Sequence, residues 1–281
     1  YKLGQIVHDE RIRLKMKQNT KTTIIAVANQ KGGVGKTTTV VNIASGLAKC
    51  NKKVLVIDLD YQANCSLWLG FEPDRKPTIA ELLVNSIGGM IINHDDFVRH
   101  FTSENFDFIP AQEETLKGIP SYLASKNDCT NILKEALSDE YFNQYDFIIL
   151  DCSPASDLLV TNALASCDKL LIPVQTDILS YSQVEKTLQT LVNIKKDTDV
   201  SKYLLGFLPT MYQKATKHSK EVLSALEESY GDLVIPQTIS YRTEVKNAVG
   251  MNRTCVSSPR SIVGLEYMSV VGYILKKVGD E

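Results

Sequence analysis

A glycine-rich run flanked by two lysines is the segment of this sequence best suited to chemistry. It reads Lys31-Gly32-Gly33-Val34-Gly35-Lys36-Thr37-Thr38 and lies between a β-type run and a helical stretch. Glycines let backbone N–H groups approach a phosphate closely, and the following helix points its positive end at the same anion. The pattern predicts a phosphate loop, with Lys36 on the β- and γ-phosphates and the Thr37 hydroxyl on Mg²⁺.

Carboxylates close two other apolar runs of the chain. Asp58 and Asp60 end one run, and Asp151 directly follows Phe147-Ile148-Ile149-Leu150. Taken alone, aspartates in such places only cap strand ends. Beside a triphosphate they need a cation or a water proton to compensate them, so the sequence predicts a magnesium site there.

These motifs need strands whose carboxyl ends meet at one edge of a sheet. Apolar runs at 23–28, 53–58, 106–109, 147–150, 170–174 and 203–208 are separated by helical or loop-rich stretches. Strands that are apolar on both faces indicate a parallel sheet covered by helices on both sides. The expected fold is α/β, a doubly wound, mostly parallel sheet in a single domain, which binds its ligand at the strand carboxyl ends.

The composition is that of a globular chain with little net charge. The 281 residues are 43% hydrophobic, with a formal net charge of −2. The six cysteines form no C-x-x-C pair, which favours small buried hydrophobes in a reducing compartment. No apolar run reaches the length of about 18 residues that a membrane span needs, and a cytoplasmic location is expected. Residues 1–21 are predicted to form a helical, basic appendage, either weakly packed or touching DNA or a partner, before an ATPase domain at 22–281.

The phosphate loop departs from the ordinary pattern, since Gln30 stands where the first glycine is expected and Lys31 is an additional lysine. This is the deviant Walker A motif, in which the sequence resembles the ParA/MinD family of P-loop ATPases. The resemblance implies that ATP and Mg²⁺ are bound and that Lys31 reaches across a dimer to the partner's phosphates. The expected nucleotide-binding residues are Gly32, Gly33, Val34, Gly35, Lys36, Thr37, Thr38 and, near the adenine, Met211.

Two further segments are similar to signatures of this family. Asp58-Leu59-Asp60-Tyr61-Gln62-Ala63-Asn64 resembles D-x-D-P-Q-x-N, with Tyr61 where proline is usual, and the run ending at Asp151 resembles Walker B. The resemblance implies that Asp60 positions or polarises the attacking water and acts with Lys31 and Lys36 in catalysis. It assigns Mg²⁺ to Thr37, Asp58 and Asp151, with Asp58 supporting the magnesium shell and the loop.

Three kinds of relative share this ATPase core: DNA-binding ParA types, membrane-binding MinD types and nitrogenase iron-protein types. Cys129 and Cys167 lack the glycine-rich context of a bridging cluster, which argues against the third. The C-terminal helix is apolar nearly all round and is predicted to pack into the core rather than onto a membrane. The candidate DNA contacts are Arg242, Lys246 and Arg253, with Glu244 standing where ParA relatives often carry an arginine.

The sequence therefore predicts an ATP-dependent partition ATPase that segregates plasmid or chromosomal DNA. Mg-ATP would close a homodimer that binds DNA non-specifically, associates with the nucleoid and recruits a centromere-binding protein of the ParB class. A MinD-class positioning ATPase is the first alternative. A metabolic ATP-dependent enzyme on the same fold, such as an amidoligase, is the second, and it requires an additional substrate pocket.

Overall fold

The computed structural model describes residues 21–90, 92–177 and 181–279. The predicted appendage at 1–21 therefore lies outside the described residues, except for Lys21. The Lys21 ammonium pairs with the Asp168 carboxylate at 2.8 Å on the surface.

Seven strands form one sheet in the order β3-β4-β2-β5-β1-β6-β7. All neighbouring pairs are parallel except β3 and β4, which are antiparallel. The strands are β1 (Thr23–Val27), β2 (Val54–Leu59), β3 (Arg99–Phe101), β4 (Phe106–Ile109), β5 (Phe147–Cys152), β6 (Lys169–Gln175) and β7 (Leu204–Thr210).

Helices connect the strands and cover both faces of the sheet. They are α1 (Lys36–Lys49), α2 (Asn64–Trp68), α3 (Ile79–Gly88), α4 (Glu113–Leu116), α5 (Ile119–Ala124), α6 (Ile132–Ala136), α7 (Leu158–Ser166), α8 (Tyr181–Lys195), α9 (Lys217–Tyr230), α10 (Glu244–Gly250) and α11 (Ile262–Gly279). Single 3₁₀ turns lie at His94–Asp96, Glu140–Gln144, Ser201–Tyr203 and Gly231–Leu233. The predicted doubly wound α/β fold is confirmed.

Alternation along the strands divides the core into two layers. On β1, Ile25 and Val27 face a cluster that includes side chains of α1 and α11. Ala26, between them, faces the opposite cluster, which includes side chains of α3, α6 and α7. Successive strand residues point to opposite faces, so a strand covered on both sides must be apolar throughout. This is why the continuous apolar runs predicted the parallel strands.

The strand β3 and the exposed side of the C-terminal helix are two features that the sequence did not predict. β3 is a three-residue antiparallel edge strand, too short to give a pattern. In α11, Tyr267, Val270, Val271 and Ile274 are buried in the core cluster, on the side that faces α1 and the sheet. Ile262 and Leu265 are exposed, Leu265 to 60%, since only one side of α11 packs against α1 and the sheet.

The strand register brings the predicted acidic residues together. Asp151 on β5 lies opposite Val27 on β1 and opposite Asp58 on β2. β1 continues directly into the phosphate loop, so the loop and both carboxylates lie at one edge of the sheet. The chain also has no helix, within its described part, that is long and apolar enough to cross a membrane.

Candidate nucleotide-binding site

The phosphate loop spans the gap between β1 and α1. Gly33 and Gly35 have φ angles of +74° and +87°, which L-residues with side chains rarely adopt. A Cβ atom added to Gly32, Gly33 or Gly35 would meet no heavy atom within 4 Å. The glycines therefore supply the turn of the backbone, and the loop is open on the side where an anion would lie.

Lys36 places a poorly hydrated cation at this loop. Its residue is 7% exposed, and its ammonium donates to the Lys31 carbonyl oxygen at 3.1 Å. Burial lowers the pKa of Lys36, and the nearby Asp151 carboxylate partly opposes that shift. A phosphate in the loop would compensate the charge that burial disfavours.

Thr37 and Asp151 supply oxygen atoms suited to Mg²⁺. The Thr37 hydroxyl donates to Asp151 Oδ2 at 2.8 Å. Asp151 Oδ1 is buried and is a side-chain atom without a hydrogen-bond partner among the described residues. Burial, followed by the neighbouring Asp58 charge, raises the pKa of Asp151 well above its usual range. An unpartnered buried carboxylate oxygen beside a hydroxyl fits a hard divalent cation or its coordinated water.

Asp58 is held by the protein itself. Its Oδ1 accepts from the Asp60 backbone N–H at 3.0 Å, and its Oδ2 accepts from the N–H and hydroxyl of Ser66 at 2.9 Å and 2.7 Å. Burial raises the pKa of Asp58 to about 6, against the lowering effect of the Ser66 bonds. Because both oxygens accept protein hydrogen bonds, Asp58 fixes the start of the loop that carries Asp60.

Asp60 lies in the same surface cleft as the phosphate loop. Its residue is 8% exposed, and its Oδ1 accepts from the Gln62 backbone N–H at 3.1 Å. The cleft brings together most of the predicted nucleotide-binding residues with some that the sequence did not indicate. Its lining is Gly32, Gly33, Gly35, Lys36, Thr37, Thr38, Asp60, Gln62, Asn64, Leu67, Trp68, Pro154, Met211 and Val249.

Besides Asp58 and Asp151, which lie beneath the cleft, two predicted residues of the phosphate loop are not part of its lining. The Val34 side chain is fully buried, and its carbonyl accepts from the Thr210 hydroxyl at 2.9 Å, so only backbone contacts to a nucleotide remain open to it. The Lys31 ammonium contacts the Asp177 carboxylate oxygens at 2.6 Å and 2.5 Å. Within its own subunit, Lys31 therefore pairs with Asp177.

Several residues that shape the site were not found by sequence reasoning. Asp177 follows the carboxyl end of β6, at the same edge as Asp58 and Asp151, and that position could have indicated it. Ser66 and Trp68 belong to the short helix α2 and carry no pattern that marks them. Only the tertiary structure shows that Ser66 holds Asp58 and that Trp68 lines the cleft.

The candidate DNA contacts are on the surface near α10. Arg242, Lys246 and Arg253 are all exposed. Glu244 accepts from the Val263 N–H at 2.8 Å and so anchors the start of α11. The indole N–H of Trp68, a residue lining the nucleotide cleft, donates to the Arg253 carbonyl at 2.8 Å.

Known proteins share this fold and these motifs. The AAA_31 family, an AAA domain, matches residues 22–203. The chain is 34% identical to the chromosome-partitioning ATPase Soj of Thermus thermophilus, over 92% of this chain and 98% of that protein. It is also similar to a plasmid partition protein of Borrelia burgdorferi bound to AMPPNP, with a TM-score of 0.76 and 25% identity over 92% of this chain and 100% of that one.

A third relative is a metabolic enzyme. Cobyrinic acid a,c-diamide synthase from Mycobacterium smegmatis, bound to ADP and magnesium, has a TM-score of 0.75 and 29% identity, covering 91% of this chain and 94% of that one. The shared fold and phosphate loop define this protein as a P-loop ATPase that uses Mg-ATP. The chain belongs to the ParA/Soj partition ATPases within the AAA-domain family.

Proposed function

We propose that this ATPase is a nucleotide-driven dimer switch that segregates DNA. Mg-ATP closes a homodimer, the dimer binds DNA non-specifically on the nucleoid, and a ParB-class centromere-binding protein is recruited to it. Hydrolysis then releases the dimer. The dimer before hydrolysis and the released subunits after it differ in the protein segments that the γ-phosphate contacts, as in other nucleotide switches.

The placement of Lys31 carries the dimer proposal. Lys36 already lines the nucleotide cleft, whereas the Lys31 ammonium pairs with Asp177 outside it. A lysine of the phosphate loop that does not face its own cleft is available to a second subunit once the Asp177 pair opens. Closure then exchanges an ion pair within the subunit for a charge-assisted contact to the partner's nucleotide.

The contacts of each residue support the following roles at the nucleotide site. Lys36 and the loop N–H groups bind the phosphates, Thr37 and Asp151 hold Mg²⁺ or its water, and Asp58 supports the loop. Asp60 lies at the cleft surface and positions the attacking water. Mg²⁺ supplies charge neutralisation on the phosphates, while the protein excludes bulk water and orients the reacting groups.

Asp60→Ala tests the hydrolytic part of this proposal. The variant should bind ATP, form the dimer and fail to release it, which size-exclusion chromatography with ATP and with ADP would show. Asn64→Ala is a matched control, because Asn64 lines the same cleft and its side-chain amide donates a hydrogen bond to its neighbour Gln62 at 3.0 Å. Normal hydrolysis by Asp60→Ala would refute the role given to Asp60.

The proposal that the protein binds DNA rests on an exposed basic surface, formed by Arg242, Lys246 and Arg253. A hydrogen bond connects this surface to the nucleotide cleft. Arg242, Lys246 and Arg253 have no carboxylate partner within ion-pair distance in the described part of the chain. The Trp68 contact to the Arg253 carbonyl joins this surface to the cleft wall. A nucleotide that changes the position of Trp68 would therefore also move the backbone of Arg253.

The test is binding of a random-sequence DNA duplex with no nucleotide, ADP, ATP or a slowly hydrolysed analogue, across a salt series. Binding should require the triphosphate and weaken steeply with salt. Lys246→Ala should lower the salt slope by about one unit if it contacts one phosphate. Lys134→Ala should not, because Lys134 is an exposed residue of α6, which packs on the opposite face of the sheet from α10. Absence of DNA binding in every state would favour the MinD-class alternative, which sedimentation with liposomes and ATP would test.

One cavity is a candidate substrate pocket for the second alternative, a metabolic ATP-dependent enzyme. It lies beside the phosphate loop and is lined mostly by polar residues, among them Asn29, Gln30, Ser153, Asp157 and Thr190. An amidoligase needs such an additional substrate pocket. A glutamine-dependent increase in ATP turnover, in the absence of DNA and any protein partner, would favour that function over partition.

A further inference from the structure

Tyr61 joins two loops of the active site. It directly follows Asp60 on the loop after β2, and it is partly buried. Its hydroxyl donates a hydrogen bond to Oδ2 of Asp157, which lies 96 residues further along the chain on the loop after β5. The loop that carries Asp60 is therefore tied to the loop that follows Asp151.

The Asp157 end of this contact is rigidly held. Asp157 is the N-cap residue of α7, and its Oδ1 accepts from the backbone N–H groups of Leu159 and Val160 at 3.0 Å and 3.1 Å. A carboxylate at this position is favoured by the unpaired N–H groups and the positive end of the helix. The two carboxylate oxygens of Asp157 thus have separate partners. Oδ1 accepts from the two N–H groups of the helix, and Oδ2 accepts from the Tyr61 hydroxyl.

The Asp60 loop has a second anchor on its other side. The Asp60 backbone N–H donates to Asp58, which Ser66 in turn holds. Asp60 therefore lies between a fixed point at Asp58 and a fixed point at Tyr61. Burial, followed by the bond to Asp157, raises the pKa of Tyr61, so its hydroxyl stays protonated and remains a donor at ordinary pH.

We propose that Tyr61 is a positioning residue for ATP hydrolysis, which it serves by holding the Asp60 carboxylate in a fixed place relative to Asp151. This inference rests on the role proposed above for Asp60. A proline at the same position would restrict the backbone through its ring. In this chain a side-chain hydrogen bond between the two loops supplies the restriction.

The kinetic test compares Tyr61→Phe with Tyr141→Phe. Tyr141 is also partly buried and its hydroxyl donates to Asp95 at 2.8 Å, away from the nucleotide cleft. Because small misplacement of a reacting group costs rate rather than affinity, Tyr61→Phe should lower kcat about tenfold and leave the KM for ATP within about twofold. Tyr141→Phe should leave both unchanged. Equal kcat in the two variants would overturn the proposal.

A second variant tests the partner of the bond. Asp157→Ser keeps an N-cap oxygen for α7 but removes the second oxygen, which accepts from Tyr61. It should lower kcat as Tyr61→Phe does, and the double variant should lose little more, because both changes remove one interaction. Losses that multiply in the double variant would show that the two side chains act separately.

Hydrogen–deuterium exchange without nucleotide examines the anchor independently of hydrolysis. Tyr61→Phe should speed exchange in peptides covering 60–66 and 157–161, whereas Tyr141→Phe should not. Unchanged exchange would refute the anchor itself. If exchange rises as expected but Asp60→Ala hydrolyses ATP normally, the role of Asp60 fails while the loop contact stands.

Discussion

Replacing Asp151 with Asn should stabilise the nucleotide-free protein while removing its response to Mg²⁺. Asp151 Oδ1 is a buried carboxylate oxygen without a hydrogen-bond partner in the described part of the chain. Leaving such a group unsatisfied costs about 1–3 kcal/mol, and more for a charged one. Asn has nearly the same shape, and its amide also lacks a partner at that position, so the gain comes from removing a buried charge that faces Asp58. The weaker bond from Thr37 offsets about 1 kcal/mol of this gain. We expect a net increase in unfolding free energy of about 1–2 kcal/mol.

The assay is urea unfolding at neutral pH, without ligand, with ATP and with Mg-ATP. At a ligand concentration of about 100 times Kd, binding stabilises the folded state by about 2.7 kcal/mol. The wild type should gain most of this with Mg-ATP, whereas Asp151→Asn should gain nothing when Mg²⁺ is added to ATP.

Asp107→Asn is the matched control for this experiment. The Asp107 oxygens contact His100 Nδ1 at 2.6 Å and the Tyr145 hydroxyl at 2.9 Å. With both oxygens already partnered, the control should lose stability and keep the full Mg²⁺ response. The reasoning would be refuted if Asp151→Asn lowered the stability of the nucleotide-free protein, or if Mg²⁺ still stabilised the variant.

Three further substitutions probe the phosphate-loop helix. Lys36→Ala should weaken ATP binding by about tenfold to a hundredfold, the worth of a charged hydrogen bond, and titration calorimetry showing unchanged affinity would contradict this. Asn42→Ala removes the oxygen that accepts from the Cys255 and Val256 N–H groups at 2.8 Å and 3.2 Å. It should cost about 2–4 kcal/mol in urea unfolding, while Asn85→Ala, a half-buried helix residue without such bonds, should cost little. Gly46→Ala would place a methyl 2.6 Å from Val271 Cγ2. The overpacking should outweigh the gain in helix propensity and cost about 1–2 kcal/mol in the same unfolding assay.

The sequence by itself determined the sheet and the centre of the site. Continuous apolar runs predicted parallel strands, because a strand covered on both faces has no polar side. The carboxyl ends of parallel strands meet at one edge, so the positions of Asp58, Asp60 and Asp151 at strand ends were enough to place them beside the phosphate loop. The glycine-rich run predicted a phosphate loop, and Gly33 and Gly35 have the φ angles of +74° and +87° that its turn requires.

Only the tertiary structure decided which side chains hold these groups in place. Lys31 with Asp177, Tyr61 with Asp157, and Asp58 with Ser66 are contacts between loops or between a strand and a short helix. Such contacts depend on how the helices pack over the sheet edge, so neither the hydrophobic periodicity of the sequence nor the spacing of its motifs predicts them. The exposure of Leu265 has the same origin, because the side of α11 that is covered is set by its neighbour α1 and not by its own composition.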